Sequence, residues 1–154
     1  MSEVTRRSFL QTSAGAVAAT TLLTGAARAD VNSKIRIAVL GVNGRGKTHI
    51  NAIGEIEGAD VVLLCDPDEQ VLAKRAAEFE KKYGRKVETE TDMRKVFDRD
   101  DIDVVTVATP NHWHSLATIW ACQAGKDVYV EKPGSHNLFE GRKMIEAAKK
   151  YKRI

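Results

Sequence analysis

The sequence has only two cysteines, little excess charge and no apolar run long enough to cross a membrane. With Cys65 and Cys122 as the only thiols, we expect neither a disulfide nor a metal site. The 24 basic and 21 acidic side chains leave a formal net charge of +3. The basic residues are scattered, often in pairs such as Lys81-Lys82, which is typical of solvated helix faces. This distribution argues against a nucleic-acid partner.

The N-terminus is typical of an export signal. A twin arginine at positions 6 and 7 is followed by Phe-Leu, by a mildly apolar stretch over 14–24, and by the A-x-A site Ala27-Arg28-Ala29. A membrane anchor needs about 20 predominantly apolar positions, and this stretch has too many small and polar residues. A general secretory signal is the alternative, but the modest hydrophobicity favours the twin-arginine machinery. We expect a signal over residues 1–29, cleaved after Ala29, and a periplasmic protein.

A glycine-rich segment, Gly41-Val42-Asn43-Gly44-Arg45-Gly46-Lys47-Thr48, follows the β-branched run at 35–40. It fits two phosphate-binding templates. Taken as G-x-x-x-x-G-K-[ST], it is a complete P-loop for ATP or GTP. Taken as a glycine-rich turn between a strand and a helix, it is a degenerate dinucleotide fingerprint. Both templates use glycines for close approach to a phosphate, and the helix N-terminus to hold the anion.

Asp66 favours the dinucleotide template. It ends the second apolar run, about 20 residues after the glycines, where a dinucleotide site places a carboxylate for the adenosine ribose. Asp66 can also be a helix N-cap, because Pro67 suits the first helical position and Glu69 completes a capping box. In a P-loop protein the same strand would end in a magnesium ligand. That template leaves Lys47 without further support, and an exported protein meets little ATP.

The chain alternates between predicted strands and helices. Strands are predicted at 35–40, 60–65, 86–89, 104–108 and 127–130, and helices at about 45–57, 68–83, 92–98, 112–124 and 137–151. The continuous β-rich run at 104–108 is typical of a strand buried on both faces of a parallel sheet. The alternation predicts an α/β fold, a doubly wound parallel sheet of the Rossmann type over residues 30–154, with ligand at the carboxyl ends of the strands.

Two of these strand ends carry distinctive residues. Thr109-Pro110-Asn111-His112-Trp113-His114 follows one strand, and Glu131-Lys132-Pro133 follows another. Each has a structural alternative: Asn111 can be a helix N-cap, the aromatic rings can pack on the sheet edge, and Lys132 can be a surface cation. A lysine placed just after a buried strand favours a functional role.

Together these motifs resemble the Gfo/Idh/MocA family, which includes glucose–fructose oxidoreductase and inositol dehydrogenase. The resemblance rests on the glycine turn with His49 shortly after it, on Asp66, on the 109–114 segment and on Glu131-Lys132-Pro133. It implies that Lys132 lies between the nicotinamide ribose and the substrate, as the catalytic residue. It also implies that Pro110-Asn111 lines the nicotinamide side of the cleft.

The resemblance implies an NAD-dependent oxidoreductase, with NADP possible as cofactor. Hydride would pass between a sugar, cyclitol or glycoside hydroxyl and a tightly retained dinucleotide. Retention follows from the compartment, because free dinucleotide is not replenished outside the cytoplasm. The alternatives are a non-catalytic dinucleotide-binding module and a P-loop nucleotide hydrolase. The candidate cofactor-binding residues are Gly41, Asn43, Gly44, Arg45, Gly46, Asp66, Thr109, Pro110, Asn111, His114, Glu131 and Lys132.

The sequence departs from the family pattern in two respects. Asn43 replaces the usual middle glycine, although asparagine tolerates a left-handed backbone better than most residues. The family's second domain, which supplies the Asp and His that act on the substrate and usually the oligomer interface, is missing from residues 1–154. We therefore expect this chain to be the nucleotide-binding part, truncated before its last strand, and a homo-oligomer only in the full-length protein.

Overall fold

Strands and helices alternate strictly along residues 34–154, the part of the chain that the computed structural model describes. The strands are β1 (Ile35–Leu40), β2 (Ala59–Cys65), β3 (Glu88–Glu90), β4 (Val104–Val107) and β5 (Asp127–Val130). The helices are α1 (Arg45–Ile53), α2 (Glu69–Tyr83), α3 (Met93–Phe97), α4 (His114–Gln123) and α5 (Leu138–Tyr151), with a 3₁₀ turn at Asn111–Trp113. The predicted export signal lies outside the described residues.

All five strands are parallel and form one sheet in the order β3-β2-β1-β4-β5. The doubly wound sheet predicted from the sequence is confirmed. Successive β1 side chains alternate between the two faces, as strand geometry requires. Ala38 and Leu40 pack with Phe97 beneath α3 and α4, whereas Ile37 and Val39 pack beneath α1 and α2. Within residues 34–154 no helix is both long and apolar enough to cross a bilayer.

The structure corrects the predicted end of α1 and the alternative in which Asp66 is the N-cap of α2. Asp68 is the N-cap of α2: its carboxylate accepts hydrogen bonds from the N–H groups of Gln70 and Val71. The predicted capping box, with Asp66 as the cap, therefore does not form, because the carboxylate of Asp66 is engaged elsewhere. Helix α1 ends at Ile53 and not near residue 57, because Gly54 is its C-cap and the N–H groups of Glu55 and Ile56 bond back three residues, in tighter turns that end the α-helix.

The glycine-rich turn between β1 and α1 is held by two close backbone approaches. Gly41 has φ +80°, and a Cβ at this position would lie 2.7 Å from the N atom of Thr109 at the end of β4. A Cβ on Gly46 would lie 1.8 Å from the O atom of Gly41, whereas one on Gly44 would meet nothing within 4 Å. Asn43 is not left-handed, since Lys152 is the one non-glycine residue with positive φ in 34–154. Contacts with neighbouring atoms therefore require glycine at 41 and 46, whereas no neighbouring atom requires it at 44.

Gly46→Ala should destabilise the fold, whereas Gly44→Ala should not. The Cβ that the first substitution adds would force the turn away from Gly41, and such overpacking costs about 2 kcal/mol or more. At Gly44 the change should stay below about 1 kcal/mol, the scale of an N-cap substitution. Urea unfolding of both variants measures the difference. Equal stabilities would show that the turn has another conformation.

Candidate functional site

A cleft of about 1060 Å³ opens at the carboxyl ends of the strands, above the β1–β4 junction. After β1 the chain continues toward one edge of the sheet, and after β4 it continues toward the other edge. Open α/β sheets bind ligands at such a switch point. The cleft is lined by seven of the predicted residues: Gly41, Asn43, Gly44, Arg45, Asp66, Thr109 and Pro110. The remaining five, which are Gly46, Asn111, His114, Glu131 and Lys132, lie outside this lining.

The glycine-rich turn presents unpaired peptide N–H groups to the cleft. The N–H groups of Gly41 and Val42 donate to the Cys65 carbonyl oxygen (2.8 Å) and to Oδ2 of Asp66 (2.9 Å). Within residues 34–154 the next two, of Asn43 and Gly44, have no hydrogen-bond acceptor. Helix α1 starts directly afterwards, with neither an acidic residue in its first turn nor a capping side chain. Free N–H groups at the positive end of a helix dipole form a site for an anion.

Asp66 lies beside this turn at the end of β2 and is only 9% exposed. Its Oδ2 accepts from Val42 N, and its Oδ1 accepts from Asp68 N at 3.1 Å. Because each carboxylate oxygen has two lone pairs, both keep capacity for a further donor. The two main-chain bonds fix the orientation of the carboxylate at the rim of the cleft.

The end of the cleft near β2 and β3 is acidic. Burial, followed by the negative charges of Glu90, Asp66 and Asp92, raises the pKa of the Cys65 thiol to about 12. The cation in this part of the cleft is Arg94 of α3, whose Nε and Nη2 donate to the Asp92 carboxylate at 2.9 and 2.6 Å. Sequence reasoning missed Arg94, because only the position of β3 beside β2 brings the start of α3 to the cleft.

Glu131 is a structural link between β5 and α1. Its Oε1 accepts hydrogen bonds from Nε of Arg45 at 2.6 Å and from Nε2 of His49 at 2.8 Å, and its Oε2 accepts from Lys132 N. The hydrogen bond from His49, followed by that from Arg45, lowers the pKa of Glu131 to about 2. The carboxylate is nearly buried and directed at α1, so the structure places it behind the cleft wall.

His114 is likewise buried, at 2% exposure. Its Nδ1 lies 2.8 Å from the Pro133 carbonyl oxygen, and its Nε2 lies 2.8 Å from the Thr109 carbonyl oxygen. Both ring nitrogens are thus engaged with the main chain. His114 connects the segments that follow β4 and β5, and in this arrangement it positions the cleft wall without facing the cleft.

Asn111 lies shortly after β4, and Lys132 lies shortly after β5. Lys132 is exposed, and within residues 34–154 its ammonium has no hydrogen-bond or ion-pair partner. The Lys132–Pro133 peptide bond is cis. Asn111 begins the 3₁₀ turn, and no side-chain cap precedes α4, so the alternative in which Asn111 is an N-cap is wrong. Among the described residues neither side chain has a hydrogen-bond partner, and neither lines the cleft.

Lys47 is directed away from the glycine-rich turn. Its Nζ lies 3.3 Å from Oε2 of Glu78 on α2, along the surface of the helix. A P-loop lysine would instead reach the phosphates bound by the turn. Among residues 34–154 there is also no group of three or more His, Cys, Asp or Glu side chains that could hold a metal ion.

Glu131→Gln should make the protein less sensitive to acid. A carboxyl with a folded-state pKa near 2 and an ordinary value of 4.5 stabilises the fold fully above about pH 5. That contribution is lost as the pH falls from about 4.5 to 2, because the unfolded chain then binds the proton first. Urea unfolding as a function of pH should give a shallower slope for the variant in this window. An unchanged slope would contradict the depressed pKa, and Glu146→Gln, at an exposed carboxyl, is the control.

Similar proteins include a curated relative and two solved structures. The chain is 33% identical over 120 residues to glycosyl hydrolase family 109 protein 2 of Shewanella sp. strain ANA-3, covering 75% of this chain and 26% of the relative. The WlbA dehydrogenase of Chromobacterium violaceum, solved with NADH and UDP-GlcNAcA, is 26% identical with a TM-score of 0.71. The alignment covers 80% of this chain and 34% of WlbA. The myo-inositol 2-dehydrogenase of Lactobacillus plantarum is 27% identical, with a TM-score of 0.67 over 77% and 34% of the two chains.

The chain thus spans about a quarter of the length of the curated relative and a third of each solved chain. Residues 3–23 match the twin-arginine translocation pathway signal sequence, as predicted. Residues 35–154 match the family described as an oxidoreductase family with an NAD-binding Rossmann fold, GFO_IDH_MocA. The family resemblance and the NAD-binding fold predicted from the sequence are both confirmed. The chain belongs to the Gfo/Idh/MocA oxidoreductase family, and residues 35–154 are its NAD-binding Rossmann domain.

Proposed function

We propose that the chain is the nucleotide-binding part of an exported NAD-dependent oxidoreductase that acts on a hydroxyl of a sugar, cyclitol or glycoside. The main support for this proposal is the glycine-rich turn at the β1–β4 junction. Within residues 34–154, its N–H groups at Asn43 and Gly44 have no hydrogen-bond acceptor. Membership of an oxidoreductase family with an NAD-binding fold argues against a P-loop nucleotide hydrolase. The side chain of Lys47, which is directed at Glu78 and away from the turn, argues against it as well.

The first half of the cleft fits the pyrophosphate and adenosine ribose of NAD. The N–H groups of Asn43 and Gly44 would bind a phosphate, and the open side of Gly44 allows the close approach. Arg45 uses only its Nε for Glu131, so its other guanidinium nitrogens are available to the same anion. Asp66 would accept hydrogen bonds from the ribose hydroxyls.

The second half would hold the nicotinamide end. Pro110 and Asn111 follow β4 at this edge, and Lys132 follows β5, its neighbour in the sheet. Bound NAD supplies an acceptor for hydride at C4 of its nicotinamide ring. Lys132 would donate a hydrogen bond to the substrate oxygen and stabilise negative charge developing there. Its ammonium is suited to this task because no carboxylate in the described chain pairs with it.

The compartment supports a tightly retained cofactor. We infer that residues 1–29 are removed after Ala29 and that residues 30–154 act in the periplasm, in line with the match to a twin-arginine signal. Because free dinucleotide is not replenished there, hydride must return from the reduced cofactor within the same active site. A net redox-neutral cycle on carbohydrate is compatible with the glycosyl hydrolase name of one relative, and its first half, in which hydride passes from the carbohydrate to NAD, is the type of step that the dehydrogenase names of the solved structures describe.

Analysis of the full-length protein tests the proposal. Mass spectrometry of the nucleotide released on denaturation should find NAD or NADH in near-equimolar amount, and carbohydrate turnover should need no added cofactor. Gly44→Ala, which should fold normally, should retain less nucleotide. Protein that folds but carries no nucleotide would contradict retention. Bound NAD that no carbohydrate reduces would identify a non-catalytic binding module instead.

Asp66 should set a preference for NAD over NADP. A 2′-phosphate would lie among Asp66, Asp68 and Asp92, and the one arginine in this part of the described cleft, Arg94, is already paired with Asp92. Asp66→Asn keeps an oxygen for the Val42 N–H and removes the charge, so the ratio of NAD to NADP affinity should fall roughly tenfold.

Calorimetric titration of protein from which the bound nucleotide has been removed, with each cofactor in turn, measures this ratio. Asp98→Asn changes an acidic side chain outside the lining of the cleft and is the control. If wild-type protein binds NADP as tightly as NAD, Asp66 orients only the turn and does not select the cofactor.

Lys132 should matter for turnover and not for stability. Lys132→Met keeps the aliphatic stem and removes the charge, and the loss of a group that stabilises developing charge should lower kcat of the full-length enzyme about a hundredfold. The unfolding temperature should not change, because the ammonium is exposed and unpaired in residues 34–154. Lys81→Met is the matched control. Normal turnover would exclude Lys132 from catalysis, and failure to fold would give it a structural role.

A further inference from the structure

Arg75 of α2 is a buried cation behind the glycine-rich turn. The residue is 9% exposed, and its guanidinium makes three side-chain hydrogen bonds. Nε donates to the Val42 carbonyl oxygen at 2.8 Å, Nη2 donates to the Asn43 carbonyl oxygen at 2.6 Å, and Nη1 donates to Oε2 of Glu78 at 2.7 Å. Burying a charged group costs free energy of folding unless the group is well hydrogen-bonded. Two of the three hydrogen bonds of Arg75 go to consecutive carbonyls of the turn.

These two bonds determine where the peptide N–H groups of the turn are directed. In a trans peptide the C=O of one residue and the N–H of the next are antiparallel. Because Arg75 draws the carbonyls of Val42 and Asn43 toward α2, the N–H groups of Asn43 and Gly44 must face the opposite side, which is the cleft. Asp66 holds the N–H of Val42, so the Val42 residue is fixed at both of its polar groups.

We propose that Arg75 is a positioning residue for the diphosphate of the bound dinucleotide. It touches main-chain oxygens and not the ligand, and it holds two N–H donors ready for the anion. This inference rests on the proposed placement of NAD in the cleft. It also gives a reason why Asn43 is compatible with binding: orientation of the turn comes from the guanidinium and does not require a flexible glycine at that position.

The guanidinium geometry is specific to this task. Its planar fork reaches two consecutive carbonyls with separate nitrogens while a third bonds Glu78, which in turn pairs with Lys47 of α1. A lysine ammonium has the charge but is a compact donor on a flexible stem, so it cannot hold both carbonyls in one geometry. Substitution of Arg75 by lysine therefore separates the effect of the positive charge from the effect of the planar fork.

Three variants of the full chain, each freed of bound nucleotide, test the proposal by calorimetric titration with ADP-ribose, which carries the diphosphate, and with adenosine, which lacks it. Arg75→Met and Arg75→Lys should weaken ADP-ribose binding by roughly tenfold to a hundredfold. Adenosine binding should change by less than about twofold, since Asp66 and the adenosine end stay in place. Lys74→Met, at an exposed neighbour on α2, should bind both ligands as wild type does.

The outcomes distinguish a failure of this inference from a failure of the proposed placement of NAD in the cleft, on which the inference rests. If wild-type protein does not bind ADP-ribose, the placement fails. If wild type binds and Arg75→Lys binds equally well, the placement stands and the positioning role is wrong. Equal weakening for ADP-ribose and adenosine would assign Arg75 to the general stability of the domain and overturn the proposal. Where Arg75→Met does not fold, Arg75→Lys decides.

Discussion

The fit of the glycine-rich turn against the end of β4 is the constraint on which the site depends. The turn can pass over β4 only because Gly41 has no Cβ to meet the Thr109 backbone, and α1 can start where it does only because Gly46 has none to meet Gly41. Both contacts bring the N-terminus of α1 onto the carboxyl edge of the sheet. The cleft, its free N–H groups and the position of Asp66 beside them all follow from that approach.

A second set of contacts, around Glu131, ties the two halves of the site together. Its carboxylate holds Arg45 and His49 of α1 from the end of β5, although β4 separates β5 from β1 in the sheet. His114 does the same for the segments after β4 and β5 through two carbonyl oxygens. Residues that a sequence motif groups as cofactor ligands thus include some that line the cleft and others, Glu131 and His114, that hold its walls.

The sequence predicts the order of elements well, because periodicity and the glycines at 84 and 125 mark strands and helix ends through local physics. It also indicates that the glycine turn and Asp66 lie together at the carboxyl ends of the strands, because both follow local rules at strand ends, and the structure brings them together in the lining of the cleft. It does not predict Arg75 or Arg94, since their contacts depend on how α2 and α3 pack beside distant segments. Nor does it assign the cap of α2: the capping-box motif suggests Asp66, whereas Asp68 is the cap and the carboxylate of Asp66 accepts from the Val42 N–H.

The Glu131-Lys132 pair shows how such contacts can serve chemistry. Adjacent opposite charges could neutralise each other, and a paired lysine would be a poor partner for a developing alkoxide. Instead, Arg45 and His49 donate hydrogen bonds to Oε1 of Glu131, and the Lys132 main-chain N–H donates to Oε2. The carboxylate is then satisfied without the ammonium, which stays exposed and unpaired in the described chain. The contacts that hold α1 against β5 therefore also keep the charge of Lys132 available for the substrate in the proposed reaction.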